Sequence, residues 1–249
     1  MNVWQKTDIG LVRKSNQDAC AVTELAGMTL CVVCDGMGGT AGGQVASNLA
    51  VESFTSYMQT HMKPLMKLEV LDQLGKDGVA AANHVIHEEA LHSEQYRNMG
   101  TTLVAALIHG TGAIVWNVGD SRAYHVSKNG IRQISKDHSL VESLVESGEL
   151  TQEEARFHPK RNYITRALGT DAAVLCDSYI ETCSAEDCLL LCSDGLMKTV
   201  DDQEMLFEII HGESLDNSLD RLFDIAKERG APDNVTAVLV QLSGERRLD

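Results

Sequence analysis

Apolar positions along the chain follow two different periods. Over 3–7, 19–25, 28–34, 101–109, 113–118, 123–126, 131–134, 175–181, 188–192 and 235–242 they form short runs rich in Val, Ile, Leu and Cys, bounded by turn-forming residues. Such runs predict strands. Elsewhere apolar residues recur at helical spacing. One helix is predicted after Gly38 and Gly39, carrying Val45, Leu49, Val51 and Phe54 and ending at Pro64. A second covers 65–92, with a break around Gly75 and Gly78. Two short helices are predicted over 139–148 and 151–156, and an amphipathic pair over 201–211 and 215–229. HGTG and GDS, between the middle strands, read as hairpin turns. Short strands at turn spacing, with helices grouped in pairs, predict an α+β fold of packed sheets rather than a wound parallel sheet.

Composition narrows the functional classes. The 249 residues are 43% hydrophobic, enough for a substantial core, and only 4% aromatic, so that core is expected to be aliphatic. Three prolines and no low-complexity tract argue against a linker, and no solenoid repeat is visible. The formal charge of -15, with no basic stripe, excludes a groove that tracks nucleic-acid phosphate. The seven cysteines are an odd number and sit mostly in apolar runs (Cys31, Cys34, Cys176, Cys188, Cys192), as expected of core thiols in a reducing compartment. Cys31 and Cys34 lie three apart on one predicted strand and so face opposite sides, which argues against a zinc pair. The N-terminus lacks the apolar stretch of a signal peptide, and no apolar run is long enough to span a membrane; a cytoplasmic location is expected.

Three apolar runs end in aspartate followed at once by glycine or serine: LCVVCDGMGG at Asp35, AIVWNVGDSR at Asp120 and LLLCSDGL at Asp194. Asp18 in SNQD and Asp233 in PDNV add two more. Singly, each is an ordinary turn residue after a strand. Together they are carboxylates delivered at strand ends, which repel one another unless cations sit among them. An oxygen-rich cluster of that kind suits magnesium or manganese. Gly36, without a side chain, lets its carbonyl approach an ion, so Asp35 and the Gly36 carbonyl form a plausible ligand pair. Two such ions could lower the pKa of a bridging water and clamp the oxygens of an in-line phosphoryl displacement. Arg13, five residues before Asp18, has the planar charge that suits a phosphate; its bland alternative is a solvated surface charge. A cysteine-phosphatase loop, a GxxxxGK[ST] loop, HExxH and a GxGxxG register are all missing.

Taken in order, TDIGLVRKSNQD, CDGMGG, Gly100-Thr101-Thr102, NVGDSRAY, KDHSLV, ITRALG, LLLCSDGL and PDNVTAVLV resemble the metal-dependent, 2C-type serine/threonine protein phosphatase family in its compact bacterial form. The resemblance runs from about Thr7 to Val240. It implies a four-layer α-β-β-α sandwich of two antiparallel sheets flanked by helix pairs, with residues 1–249 as a single catalytic domain. It also implies two core manganese or magnesium ions and room for a third. Asp35 would bridge the core ions, the Gly36 carbonyl would bind one, and Asp194 and Asp233 the other. Asp18 would act largely through water, Asp120 with Asp194 would serve the third ion, and Arg13 would grip the substrate phosphate. Residues 139–165 would be the flap beside the site.

Two positions depart from the family pattern: Gln17 and Gln44 stand where many relatives carry Glu, which implies retuned hydrogen bonding around the ligands rather than loss of activity. Met37 stands where animal relatives carry a proposed general acid, so leaving-group protonation needs another donor. His138 qualifies for that only by residue type; a structural hydrogen-bonding role is the expectation. The expected activity is hydrolysis of phosphoserine and phosphothreonine in proteins. The expected partners are phosphorylated proteins and a cognate serine/threonine kinase, with the chain a monomer. Alternatives are a catalytically silent, phosphoprotein-binding regulator of the same fold and a phosphatase acting on a small phosphoester.

Overall fold

The computed structural model describes residues 1–243; the last six residues of the expected 1–249 domain lie outside the described residues. The strands are β1 (Asn2–Asp8), β2 (Asp18–Leu25), β3 (Met28–Met37), β4 (Gly100–Thr101), β5 (Leu103–His109), β6 (Gly112–Val118), β7 (Arg122–Ser127), β8 (Gly130–Gln133), β9 (Asp177–Thr182), β10 (Cys188–Cys192) and β11 (Val235–Gln241). The helices are α1 (Gly39–His61), α2 (Leu68–His92), α3 (Leu140–Glu146), α4 (Gln152–Phe157), α5 (Asp194–Met197), α6 (Asp202–His211) and α7 (Leu215–Glu228). One sheet has the order β1-β11-β10-β7-β8 and the other β2-β3-β5-β6-β9, with β4 extending the β3 pairing beyond β5. Every pairing is antiparallel.

The alternation of side chains along each strand builds the layers. On β3, Cys31 and Val33 point between the sheets while Leu30, Val32 and Cys34 point outward, as the spacing of the two cysteines predicts. The outward set meets α1 and α2. On the other sheet, Leu189 and Leu191 face inward, and Cys188, Leu190 and Cys192 pack under α6 and α7. Central strands buried on both faces explain their continuous apolar runs. The result is the expected four-layer sandwich.

The layer between the sheets is aliphatic, as the low aromatic content predicts. The large buried aromatics anchor the outer layers instead: Phe54 of α1 with Trp116 of β6 on one side, Phe223 of α7 with Tyr124 of β7 on the other. Phe54 and Trp116 meet edge-on, with ring centroids 6.0 Å apart.

Four expectations are corrected. The GDS stretch is no hairpin turn: β6 and β7 lie in different sheets, and the chain crosses between them there. The second helix is unbroken from Leu68 to His92. A Cβ on Gly75 would lie 2.0 Å from Trp116 Cε2, so this glycine makes room for the indole rather than ending the helix. Its helix penalty of about 1 kcal/mol is offset by burying Trp116. The predicted strand at 101–109 is interrupted at Thr102, where a side-chain bond described below replaces a ladder bond. The strand predicted to begin at Leu175 starts at Asp177, and Leu175 is exposed.

Candidate active site

The five aspartates reach one end of the sandwich by different routes. Asp18 opens β2, and Asp35 lies near the end of β3, directly opposite it in the pairing. Asp120 occupies the turn from β6 to β7. Asp194 is the first residue of α5, straight after β10, and Asp233 sits two residues before β11. Because the pairings are antiparallel, strand starts and strand ends meet here. Of the three aspartates that follow apolar runs, only Asp120 and Asp194 therefore lie beyond their strands; Asp35 is inside β3.

Backbone position is imposed by buried polar residues. Asp35 N–H donates to Thr102 Oγ1 at 2.9 Å, and the Asp35 carbonyl accepts from Thr102 N and Thr101 Oγ1, each at 2.9 Å. Thr102 Oγ1 in turn meets Ser121 Oγ at 2.6 Å, tying the Asp35 strand to the residue after Asp120. Ser193 Oγ donates to Asp18 Oδ2 at 2.7 Å and accepts from Thr236 N–H at 3.0 Å, linking Asp18 to the strand ends that carry Asp194 and Asp233. Asn234 clamps the loop of Arg13. Its Oδ1 accepts from Gln17 N–H at 2.9 Å, and its Nδ2 donates to the carbonyls of Ile9 and Ser15 at 2.8 and 3.0 Å.

Gly36 is required for space. A Cβ there would lie 2.0 Å from the Gly43 carbonyl oxygen on α1 and 2.6 Å from that of Gln17, both rigid backbone atoms. The close approach of β3 and α1 is thus built from glycine against glycine. Gln17 Nε2 donates to the Gly39 carbonyl at 2.6 Å, a bond that an ionised glutamate could not make. Gln44 is exposed on α1.

Electrostatically the cluster is strained. Burial, then Asp194, Asp18, Asp120 and Asp233 around it, hold the Asp35 carboxyl well above the usual carboxylate range. Burial together with Asp194 pushes Asp120 up to about 7. Asp18 rises to about 6 through burial, in spite of the hydrogen bond from Ser193. Three buried oxygens of the cluster, Asp18 Oδ1, Asp120 Oδ1 and Asp194 Oδ1, have no hydrogen-bond partner among the described residues. Orphaned, mutually repelling carboxylate oxygens without a single nitrogen or sulfur among them fit hard divalent cations.

Among the described residues, two protein cations face the cluster. Arg13, half-exposed on the rim, donates from Nη2 to Asp233 Oδ2 at 2.8 Å, and that bond is the main cause that raises its pKa. Lys198 contacts Asp194 Oδ2 one helical turn on. Burial disfavours the ammonium, but Asp194, followed by Asp120 and Asp233, holds its pKa above the ordinary value. A cleft of about 770 Å³ is lined by Arg13, Asp35, Gly36, Asp194 and Asp233 and has Met37 on its wall. Next to it, about 480 Å³ opens between Asp120, Lys198 and residues of α3 and α4.

His138 has a structural role. Its Nδ1 accepts from Gly119 N–H at 2.9 Å, so a neutral ring carries its proton on Nε2, which lies 3.1 Å from Asp177 Oδ2 and 2.9 Å from Arg166 Nη1, itself a donor to Asp177 Oδ1 at 2.8 Å. It therefore braces the turn that carries Asp120. Residues 139–165 leave the sandwich at this point and return beside it: Ser139 pairs with Ile164, and Thr165 N–H donates to the His138 carbonyl at 2.8 Å. Ser139 and Thr151, the first residues of the two predicted short helices, are the N-caps of α3 and α4.

Thr102, Ser193 and Asn234 lie inside the quoted motifs but carry no chemistry of their own, so the sequence reading passed over them. Lys198 was missed too. Its signal was the i,i+4 spacing from Asp194, visible only once a helical turn is placed after SDGL.

A fold of two facing sheets, with carboxylates gathered at one end and an arginine on the rim, defines a metal-dependent phosphatase. The protein phosphatase 2C family model matches residues 12–240, and the chain belongs to that family, whose members depend on metal, generally manganese or magnesium. It is 36% identical to the serine/threonine phosphatase stp of Listeria welshimeri, over 97% of this chain and 96% of the relative. Its fold is similar to the crystal structure of the serine/threonine phosphatase Stp1 from Staphylococcus aureus, with a TM-score of 0.92, 35% identity and coverage of 97% of this chain and 95% of that one. The Mycobacterium tuberculosis phosphatase PstP/Ppp matches with a TM-score of 0.87 at 34% identity, over 97% and 98% of the two chains. The chain is a metal-dependent serine/threonine protein phosphatase. Among the described residues, no helix is long and apolar enough to cross a membrane.

Proposed function

We propose that Asp35, the Gly36 carbonyl, Asp194 and Asp233 hold two core manganese or magnesium ions, with Asp18 acting through water and Asp120 and Asp194 serving a third. The observation that carries this reading is the gathering of five aspartates, three with an orphaned buried oxygen. When bound, the ions supply an activated water and neutralise charge on the phosphoryl group. The chain's own residues do the rest. Arg13 exchanges its Asp233 partner for the substrate phosphate. Thr102, Ser193 and Asn234 keep the carboxylates in register, and Met37 contributes no proton. Residues 139–165 act as the flap of a single catalytic domain.

Substrates in this reading are proteins phosphorylated on serine or threonine. A cognate kinase opposes the enzyme and the chain works as a monomer, both by family analogy. A cytoplasmic location is supported by seven free thiols. The test is turnover of p-nitrophenyl phosphate and a phosphothreonine peptide with manganese, then with chelator. Activity that is lost with chelator and in Asp35→Ala and Asp194→Ala supports the reading; full activity in either variant overturns it.

A further inference from the structure

We propose that His125, Glu181 and Cys183 form a separate binding site for a borderline divalent cation such as zinc, at the end of the sandwich opposite the aspartates. One ligand atom from each lies within 4.8 Å of the other two. His125 comes from β7 in one sheet and Glu181 from β9 in the other, with Cys183 just beyond β9, so an ion here would clip the two sheets together. The placement at the far end follows from register: Asp177, at the start of β9, pairs with Asn117 near Asp120, whereas Thr182 pairs with Gly112.

The donor set decides the class of ion. Imidazole, carboxylate and thiolate together suit zinc, whereas the catalytic cluster offers oxygen alone and suits magnesium or manganese. The surroundings are those of a prepared ligand. His125 Nε2 lies 2.9 Å from Asp187 Oδ2, which also accepts from Ser184 N–H at 2.7 Å. With Nε2 engaged by Asp187, Nδ1 is the nitrogen left for an ion, and a carboxylate behind a ligating histidine fixes its tautomer. Glu181 is paired with Arg132 through bonds of 2.6 and 3.3 Å, the longer of which an ion would displace. The side chains are sheltered but reachable, His125 at 18% exposure and Glu181 at 13%. Burial pushes the Cys183 thiol up to about 12, so binding as thiolate expels one proton to solvent and weakens as pH falls.

Cobalt reports this site without reading the catalytic one, because only a sulfur ligand produces a near-ultraviolet thiolate-to-cobalt charge-transfer band. With magnesium in excess, the wild-type protein is expected to develop the band with one equivalent of cobalt. Cys183→Ser is expected to abolish the band while retaining manganese-dependent turnover of p-nitrophenyl phosphate. His125→Gln should weaken cobalt binding at least tenfold, and Asp187→Asn about tenfold. Asp35→Asn should keep the band whatever becomes of its activity, which separates this proposal from the phosphatase reading. No band at excess cobalt, or a band that survives both Cys183→Ser and His125→Gln, overturns the proposal.

Discussion

Asp18 and Asp35 stand directly opposite each other on β2 and β3, two carboxylates paired where a sheet ordinarily places complementary or apolar side chains. The register that pairs Leu30 with Thr23 and Val32 with Ala21 leaves them no alternative, because a one-residue slip would swap Cys31 and Val33, packed between the sheets, with Leu30, Val32 and Cys34, packed under α1 and α2. Hydrophobic packing therefore holds the carboxylate cluster in its repulsive geometry. Removing one charge should relax it. Asp35→Asn is expected to stabilise the chelated protein, because it removes a buried charge that Asp194, Asp18, Asp120 and Asp233 repel. The same variant should lose the rise in Tm that manganese produces in the wild type. Asp120→Asn should weaken manganese binding less than Asp35→Asn does. Thermal unfolding and calorimetric titration would check all three statements.

Arg13 sits half-exposed on the rim with its guanidinium on Asp233. If its work is to hold phosphate, Arg13→Ala should raise KM for a phosphothreonine peptide about tenfold, equivalent to about 1.4 kcal/mol of lost binding. Manganese affinity should change much less. A variant with unchanged KM and lost manganese binding would make Arg13 a support for Asp233 instead.

Asn234 satisfies three backbone groups of the 9–17 loop from a buried position. Asn234→Ala leaves those groups unpaired and is expected to cost about 3 kcal/mol, near 1 kcal/mol for each bond lost. Denaturant unfolding in chelator would measure it. Because the same loop carries Arg13, KM for phosphopeptide should rise as well.

His138 gives a pH dependence with a defined sign. Burial lowers its pKa from 6.5, and the nearby Arg166 adds to this, although Asp177 works the other way. The folded protein therefore takes up this proton less readily than the unfolded chain. The stabilisation is complete above the unfolded value of 6.5 and is lost as pH falls through the lowered folded value. Asp177 shifts the same way: burial would raise it, but bonds from His138 and Arg166 outweigh that and lower it. The stability difference between wild type and His138→Gln, both in chelator, should shrink between about pH 7.5 and about pH 5. A difference that grows on acidification would contradict the neutral ring assigned to His138.

Much of this molecule is legible locally. The runs ending at Cys34, Val118 and Cys192 are apolar on both faces because they form the middle of two packed sheets, and a strand that must bury both faces can be written in few other ways. Boundaries were harder where a residue serves a distant partner. Gly75 reads as a helix break until Trp116 is seen against it, and Thr102 reads as part of a continuous strand until its hydroxyl is seen on Asp35.

The sequence by itself determined the elements, the alternation that stacks them into four layers, and the identity of the carboxylates, since each depends on residue type and spacing over a few positions. Only the tertiary structure decided that those carboxylates crowd one another, that Gly36 is reserved for Gly43, that Lys198 faces Asp194, and that His125 and Cys183 meet from opposite sheets. Those facts depend on which chain ends the antiparallel pairing brings together. The contacts join residues far apart in sequence, and their energies come from burial and mutual repulsion that no local window contains.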